Sequence, residues 1–309
     1  MFEARFNSVE RLRALADLPS EASPSAEPGR EPPADWPAQG AVVFEDVVLR
    51  YRPDLNPALR GVSVGGTQTG RGGNGAVSRP PAPDPRPLSF FQFSVAPREK
   101  VGIVGRTGSG KSSLIVALFR LTEVASGRIL IDGVDLATVG LLDVRSRVAV
   151  VPQSPTLFSG TLRFNLDPYD RATDAAVWAA LDVVGCRAAV AESPLGLYDR
   201  VTEGGDNFSV GFRQLLCVAR AILRSPRVLI ADEATASVDG ETDAAVQKAL
   251  RTSFKDATVL TVAHRIGTVL DSDKVLVMDA GRVAEYGAVP DLMATPGGLF
   301  RALVDGSGG

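Results

Sequence analysis

The clearest chemical signature in the chain is a glycine-rich run, GRTGSGKSS, at positions 105–113. It fits the pattern G-x-x-x-x-G-K-S/T and follows the apolar run Val101–Val104, so it stands between a predicted strand and a predicted helix. Glycines let backbone N–H groups turn around phosphate oxygens, and the start of a helix adds a favourable dipole. We therefore expect Lys111 to bridge the β- and γ-phosphates of a nucleotide and Ser112 to bind Mg²⁺.

A pair of carboxylates follows in the run RVLIADEATASVD. Its apolar residues Val228–Ala231 predict a buried strand. Asp232 and Glu233 stand at the carboxyl end of that strand, where ligands gather in an open parallel sheet. Adjacent carboxylates at such a place also serve as a helix cap and a solvated side chain. The strand and the upstream glycine-rich loop favour a catalytic pair, in which Asp232 holds Mg²⁺ through its water shell and Glu233 polarises the attacking water.

Two neutral polar side chains stand at comparable positions. His264, the only histidine of the chain, follows the apolar strand Val259–Val262, and Gln153 follows Val148–Val151. The carboxyl ends of parallel strands meet at one edge of a sheet. We therefore expect both side chains to sense the γ-phosphate or the metal shell.

The rest of the chain shows how these residues are positioned. Residues 1–19 carry apolar residues at spacings of three and four, which predicts an amphipathic helix stopped by Pro19. Residues 20–39 are rich in Pro, Ala, Ser and Glu, which predicts a linker. Short β-rich runs begin at Ala41, and helix and strand signals alternate beyond Lys111. This alternation predicts an α/β fold with a largely parallel sheet.

The net charge, the two cysteines and the lengths of the apolar runs indicate which partners and sites to expect. The net charge of −3 gives no argument for binding to nucleic acid, so we expect no nucleic-acid partner. Cys186 and Cys217 lie in apolar neighbourhoods far apart in sequence, which predicts buried reduced thiols rather than a disulfide or a metal site. No apolar run approaches the ~18–20 residues that a membrane-spanning helix requires.

The order of the motifs resembles an ATP-binding-cassette (ABC) ATPase domain. More narrowly, it resembles the second nucleotide-binding domain of a subfamily C (multidrug-resistance-protein-like) exporter. The resemblance covers about residues 36–306 and rests on RYRP, GRTGSGKSS, VVPQSPTLFSGTLRFNLDP, EGGDNFSVGFRQLLCVARAIL, VLIADEATASVD and TVAHR. It implies a P-loop NTPase (RecA-like) core, an N-terminal antiparallel β portion and a helical signature subdomain at residues 155–225, all within an ATPase domain at residues 40–306.

The resemblance also implies roles for individual residues. Tyr51 would stack on adenine, which any aromatic face can do. Ser209 and Gly211 belong to the signature that caps the ATP of a partner domain. His264 matches the switch histidine, and Asp239 closes a loop that crosses the dimer interface. The implied nucleotide-binding loop consists of Gly105, Thr107, Gly108, Ser109, Gly110, Lys111, Ser112 and Ser113. The implied magnesium set consists of Ser112, Gln153 and Asp232, and the implied catalytic set of Glu233, His264, Lys111 and Gln153.

A family member of this kind binds MgATP, hydrolyses it together with a second, heterologous nucleotide-binding domain, and drives transmembrane domains from the cytoplasmic face of a membrane. The N-terminal FNSVERL resembles the cytoplasmic end of the last transmembrane helix of such exporters. Two alternatives stay open. One is a soluble, non-transport ABC ATPase, although those usually carry coiled-coil insertions or tandem cassettes. The other is a truncated relic that binds ATP only.

Two residues depart from the family pattern. Phe212 stands where a glutamine usually follows the signature glycine, and Ser154 stands where an aspartate usually follows Gln153. By resemblance, the second domain's signature faces the first domain's ATP site, which in subfamily C is commonly the weaker hydrolytic site. A change there is compatible with turnover at the site built from Lys111, Asp232 and Glu233.

An unusual stretch, residues 64–92, separates the β-rich runs ahead of the glycine-rich loop. Its 29 residues include six Gly and five Pro, a composition that cannot bury enough surface to order itself. Val64 and Gly65 can be encoded by GTNGGN, an intron donor, and Leu88–Gln92 by a pyrimidine-rich tract closing in CAG, an acceptor. We interpret the stretch as a translated retained intron or as a disordered surface loop. Either way, it is expected to be dispensable.

Overall fold

The computed structural model describes residues 13, 16–17, 20–62, 93–234, 238–263 and 265–306. The helix expected in residues 1–19 lies outside the described residues except at positions 13, 16 and 17. The stretch at 64–92 lies outside them entirely.

Strands and helices alternate along the described residues. The strands are β1 (Val42–Leu49), β2 (Leu59–Val62), β3 (Phe93–Val95), β4 (Lys100–Gly105), β5 (Ser126–Ile131), β6 (Val134–Asp135), β7 (Val148–Val151), β8 (Gly160–Thr161), β9 (Arg200–Val201), β10 (Val228–Asp232), β11 (Thr258–Val262), β12 (Lys274–Asp279) and β13 (Arg282–Ala288). The helices are α1 (Lys111–Leu118), α2 (Leu141–Arg147), α3 (Leu162–Leu166), α4 (Asp174–Val183), α5 (Arg187–Glu192), α6 (Val210–Arg224), α7 (Gly240–Ser253), α8 (Val289–Ala294) and α9 (Leu299–Gly306).

The central sheet has the strand order β13-β12-β4-β11-β10-β7. Its neighbours are parallel except for the edge pair β12 and β13. The inner strands are short apolar runs that are buried along most of their length, as expected for a sheet covered on both faces. The predicted α/β fold with a mainly parallel sheet is confirmed.

A second, antiparallel sheet is built around β1, which pairs with β2, β3 and β5. Buried positions in β1 alternate at Val42 and Phe44, then skip one residue and resume at Val47 and Leu49. The skip falls at Asp46, whose φ of 48° lies in the left-handed region. This irregularity is a β-bulge, because one extra residue shifts the period-two alternation without moving the apolar side chains to the other face.

The signature region folds as a mainly helical part that includes α3–α6 and the short pair β8 and β9. Its apolar side chains share a buried cluster with β7, β10 and α7, so this part is packed against the central sheet. Arg163 of α3 pairs with Asp167, Asp170 and Asp174 within this region. Three carboxylates on one largely buried guanidinium fix the loop between α3 and α4.

Residues 20–39 contain no helix or strand. Trp36 is nevertheless buried, with 4% of its surface exposed, and its ring N–H donates to the carbonyl of Ile131 at 2.8 Å. Asp132 accepts hydrogen bonds from the backbone of Gln39, Gly40 and Ala41. The composition of residues 20–39 predicts a linker. The structure adds that this segment is bound to the domain through Trp36 and through the hydrogen bonds to Asp132.

Both cysteines are free thiols and are buried, as expected from their apolar neighbourhoods. Burial raises the pKa of Cys186 to about 12 and also raises the pKa of Cys217. Across the portion of the chain that the structure describes, no helix has the length and apolar character needed to cross a membrane.

Candidate nucleotide-binding site

The glycine-rich loop connects the end of β4 to the start of α1. A side chain at Gly105 would place its Cβ 2.2 Å from the carbonyl oxygen of Met278, and one at Gly110 would place it 2.9 Å from that of Ala58. Gly105, Gly108 and Gly110 also have φ values of 152°, 80° and 103°, which side chains rarely adopt. Glycine is therefore required at these turns for steric and conformational reasons.

Lys111 is buried at the first position of α1, with 4% of its surface exposed. Its Nζ donates to the carbonyl oxygens of Gly105 at 2.7 Å and Arg106 at 3.2 Å, so the side chain folds back along the loop. Burial lowers the pKa of Lys111, while the carboxylates of Glu233 and Asp232 act in the opposite direction. The lysine thus lies within electrostatic reach of the two carboxylates that the sequence assigned to the same site.

The two acidic residues of the site lie at the carboxyl end of β10. Asp232 is the last residue of β10, and Glu233 follows with a φ of 44°. The Glu233 N–H donates to the carbonyl of Val262 on the neighbouring strand β11 at 2.9 Å. The Gln153 Nε2 donates to the Glu233 carboxylate at 2.6 Å. The structure therefore brings together Lys111, Asp232, Glu233 and Gln153, whereas His264 lies outside the described residues.

Tyr51 lies beside Ser113, the third residue of α1. Its hydroxyl shares a 3.0 Å hydrogen bond with the Oγ of Ser113, and half of the side chain is exposed, at 51%. Ser112 is exposed and Ser113 is buried. An exposed aromatic ring tethered to the phosphate-loop helix has the chemistry expected of a nucleobase-stacking residue.

The signature residues lie at the start of α6. Ser209 is the N-cap, and its Oγ accepts a 3.1 Å hydrogen bond from the Phe212 N–H. At Gly211, a Cβ would lie 3.0 Å from the Thr242 Oγ1 of α7, so this glycine permits the close approach of the two helices. Asp239 caps α7 and accepts from the backbone of Glu241 and Thr242.

Sequence reasoning missed two contacts around α6. Gln214 has 1% of its surface exposed, and its amide nitrogen donates to the carbonyl of Pro152 at 3.1 Å, immediately before Gln153. Gln214 stands four residues before buried Val218, so helical spacing could have placed it on the buried face. Phe212 stacks on Phe208, with ring centroids 5.1 Å apart and an interplanar angle of 19°. No sequence pattern specifies that stack.

The site residues fit a magnesium nucleotide. The start of α1 offers backbone N–H groups and Lys111 offers a cation for phosphate oxygens, whereas Ser112 and Asp232 are oxygen ligands suited to Mg²⁺. The Oγ of Ser109, within the loop, is buried and has no hydrogen-bond partner among the described atoms. The described residues contain no group of three or more His, Cys, Asp or Glu side chains able to hold a metal ion by themselves. Mg²⁺ would therefore depend on phosphate oxygens and water for most of its ligands.

Comparisons with known proteins agree with this geometry. Residues 88–236 match the family model described as ABC transporter. The chain is 44% identical over 306 residues to "ABC transporter C family member 3" of Dictyostelium discoideum, covering 99% of this chain and 20% of that protein. It is 42% identical over 298 residues to "ATP-binding cassette sub-family C member 2" of Mus musculus, covering 96% and 17% respectively. It is 44% identical over 301 residues to "Vacuolar heme ABC transmembrane exporter abc3" of Schizosaccharomyces pombe, covering 97% and 18%.

A solved structure described as "Structure of a bacterial Atm1-family ABC exporter with ATP bound" is also similar. The two share 29% identity with a TM-score of 0.80, over 99% of this chain and 48% of that one. The chain therefore contains an ABC transporter ATPase domain with the P-loop NTPase fold. In particular, it is a nucleotide-binding domain of the kind found in C-subfamily exporters. It spans about a fifth of the length of the curated relatives it matches.

Proposed function

We propose that the chain is the second nucleotide-binding domain of a C-subfamily ABC exporter. In this proposal, residues 40–306 form the ATPase domain, and residues 155–225 form its helical signature subdomain. The domain binds MgATP and hydrolyses it with a second, heterologous nucleotide-binding domain. Transmembrane domains of the same transporter convert that hydrolysis into export, with the ATPase domain on the cytoplasmic face of the membrane.

The P-loop supplies the binding chemistry in this proposal. The loop backbone and Lys111 neutralise phosphate charge, while Ser112 and Asp232 hold Mg²⁺ directly or through water. Tyr51 offers its exposed ring to adenine, and its bond to Ser113 keeps that ring near the loop. Burial of Lys111 favours this role, because a cation in a low-dielectric site attracts phosphate oxygens more strongly than it does in water.

Glu233 is the proposed base that orients the attacking water, and Gln153 holds its carboxylate. When bound, MgATP supplies the phosphoryl group and the metal that stabilises charge on it. A carboxylate can accept more than one hydrogen bond, so the bond from Gln153 leaves Glu233 able to accept one from water. From the family resemblance, we assign His264 the role of the switch histidine and Gln153 that of a link to the membrane domain.

Ser209 and Gly211 are proposed to act on the ATP bound by the partner domain. They stand at the N-terminus of a fifteen-residue helix, α6, where N–H groups and the helix dipole favour an anion. Because Ser209 already accepts the Phe212 N–H, its hydroxyl hydrogen is left to donate outwards.

One observation carries the proposal: Lys111, Asp232, Glu233 and Gln153 come from three separate strand ends and meet at one edge of the sheet. The Gln153–Glu233 hydrogen bond supports this arrangement, and so does the influence of both carboxylates on the pKa of Lys111. The matched relatives and the matched solved structure are described as transporters or exporters, which favours an exporter domain over a non-transport ATPase.

The test is to mix the full chain with a purified partner nucleotide-binding domain and measure phosphate release from MgATP. We expect release that rises with partner concentration, needs Mg²⁺ and is lost in Glu233→Gln. Failure of the full chain to bind ATP would refute the proposal. Tight ATP binding without hydrolysis at any partner concentration would instead support the relic that binds ATP only.

A further inference from the structure

Arg145, in the short helix α2, joins the N-terminal segment to the ATPase core. Its Nη1 and Nη2 donate to the two carboxylate oxygens of Glu21, each at 2.9 Å. Such a two-pronged pair fixes orientation as well as distance. The hydrogen bond from Arg145 also lowers the pKa of Glu21. Residues 20–36, which contain Glu21, are called the strap below.

The same side chain reaches the end of the phosphate-loop helix. The Nε of Arg145 donates to the carbonyl of Phe119 at 3.1 Å, and Nη2 donates to that of Arg120 at 2.9 Å. The backbone carbonyl of Arg145 accepts from Arg224, the last residue of α6, at 2.7 Å. Arg145 therefore contacts the C-terminal ends of both helices whose N-termini carry nucleotide motifs, α1 with Lys111 and α6 with Ser209.

The strap holds α2 along its whole length. The first two N–H groups of α2, from Leu141 and Leu142, donate to strap carbonyls of Ser23 and Pro24 at 3.1 and 2.9 Å. A Cβ at Gly140 would lie 2.5 Å from the Pro24 oxygen, so the two backbones are in close contact. At the other end of α2, the Arg147 guanidinium bonds to the Trp36 carbonyl and lies 5.8 Å from the centroid of the Trp36 ring.

Helix α2 leads without a break into β7. β7 pairs with β10, which ends in Asp232, and is followed by Gln153, which binds Glu233. Any displacement of α2 must therefore move β7 or strain its pairing, because packed elements are not continuously deformable.

We propose that Arg145 is a positioning residue for ATP hydrolysis: held by Glu21, it sets α2 and β7 so that Gln153 meets Glu233. The inference rests on the proposed function, because it concerns the same reaction. Arg145 touches no nucleotide in this scheme. It acts through the strand that carries Gln153, and the strap makes that placement depend on the chain segment preceding the domain.

The test compares Glu21→Gln with Glu27→Gln in the full chain. Both changes neutralise one exposed strap carboxylate. Within the described part of the chain, Glu27 forms an ion pair with neighbouring Arg30, whereas Arg145 pairs with Glu21. With the partner nucleotide-binding domain present, we expect Glu21→Gln to lower the kcat of ATP hydrolysis by about three- to tenfold with the KM for ATP unchanged. Glu21→Asp should recover part of the loss, and Glu27→Gln should match the wild type.

Hydrogen exchange gives a readout that needs no hydrolysis. Amides of residues 141–153 should exchange faster in Glu21→Gln than in the wild type or in Glu27→Gln. Equal exchange and equal kcat in the two variants would overturn the inference, as would a loss in kcat that parallels a general loss of thermal stability. If the wild-type chain binds ATP but does not hydrolyse it at any concentration of the partner domain, the proposed function fails, and the exchange comparison still decides whether Glu21 holds this segment.

Discussion

The side-chain nitrogen of Gln153 donates a 2.6 Å hydrogen bond to a carboxylate oxygen of Glu233. The two residues follow neighbouring parallel strands, β7 and β10. The bond fixes the carboxylate at the sheet edge where Lys111 and Asp232 also lie, while Glu233 keeps the capacity to accept further hydrogen bonds. A negatively charged group held in this way suits a base that orients water.

Glu233→Gln should keep ATP binding and lower turnover by at least about a hundredfold, the usual scale for losing a positioned base. The amide can still accept from Gln153, so the substitution removes charge with little change of shape. Turnover and ATP affinity would be measured side by side with the partner domain present. Glu241→Gln, in the exposed first turn of α7, is the control for removing one carboxylate from the same domain. Near-normal turnover in Glu233→Gln would refute its role.

Lys111→Ala should weaken ATP binding itself, because phosphate charge then loses its buried cation. A hydrogen bond to a charged group contributes about 1.5–3 kcal/mol, so we expect the Kd for ATP to rise at least about tenfold. Titration of MgATP into the full chain measures this directly. Lys248→Ala, which removes an exposed lysine of α7, is the control. An unchanged Kd in Lys111→Ala would contradict the assignment.

Much of the core and of the site could be predicted because both rest on local patterns. Residues Thr258–Val262 are β-branched except for Leu260, a composition that favours a strand, and the structure forms a strand there. That Lys111, Asp232 and Gln153 share one edge follows from their places after parallel strands. The Gln153–Glu233 bond could not be predicted, since it depends on two rotamers and on the left-handed backbone of Glu233.

The strap shows why composition is a weaker guide. Pro, Ala, Ser and Glu predict a segment with little capacity to form a core, and residues 20–36 indeed form no regular element. What holds them is one buried indole at Trp36, one arginine fork on Glu21 and several backbone carbonyls. Backbone carbonyls are common to every residue, so no pattern of side chains indicates which ones will be used.

Ser209→Ala should separate a capping role from a catalytic one. Ser209 caps α6 and Thr173 caps α4, each accepting a backbone N–H. Loss of either cap should lower the free energy of unfolding by about 1 kcal/mol. Only Ser209→Ala should also slow hydrolysis of the ATP bound by the partner domain. Thermal unfolding and single-site turnover would be measured for both variants. Equal effects of Ser209→Ala and Thr173→Ala on turnover would show that Ser209 acts only as a helix cap.

Phe212→Gln should remove an aromatic packing contact and add a side-chain amide that can form hydrogen bonds. The change breaks the stack on Phe208, which contributes about 0.5–1.5 kcal/mol beyond buried area. It also supplies an amide that an aromatic ring lacks. We expect lower thermal stability together with altered nucleotide affinity or dimer closure at the partner's site, and a smaller effect on hydrolysis governed by Glu233. Phe208→Leu, which breaks the same stack without adding an amide, is the control. If only stability changes in both variants, the residue at 212 is neutral for nucleotide binding.

The strands on either side of residues 64–92 have a register that bears on that stretch. Both β2 and β3 pair antiparallel to β1, with Val62 opposite Val47 and Phe93 opposite Phe44. If residues 64–92 are removed, a single residue, Ser63, separates Val62 from Phe93. On β1, two residues, Glu45 and Asp46, separate Phe44 from Val47, the residues that pair with Phe93 and Val62. Two residues opposite one is the pattern of a β-bulge, and β1 is already irregular there in its pairing with β5.

Deleting residues 64–92 should therefore fuse β2 and β3 into one strand that keeps both existing registers across the bulge at Asp46. The P-loop follows directly after β4, so its approach from the sheet is unchanged, and ATP affinity should equal that of the full chain. Thermal stability should be equal or higher, because a long Gly- and Pro-rich stretch no longer has to be closed into a loop. Deleting the same number of residues from Phe93 onward, residues 93–121, removes β3, β4, the glycine-rich loop and α1; it should abolish folding and serves as the contrast. Loss of ATP binding in the 64–92 deletion would show that the stretch is needed.

Whether residues 64–92 are a retained intron is decided separately by transcripts. Their 29 codons, three nucleotides each, make 87 nucleotides, and the presence of these nucleotides in every transcript would refute that interpretation.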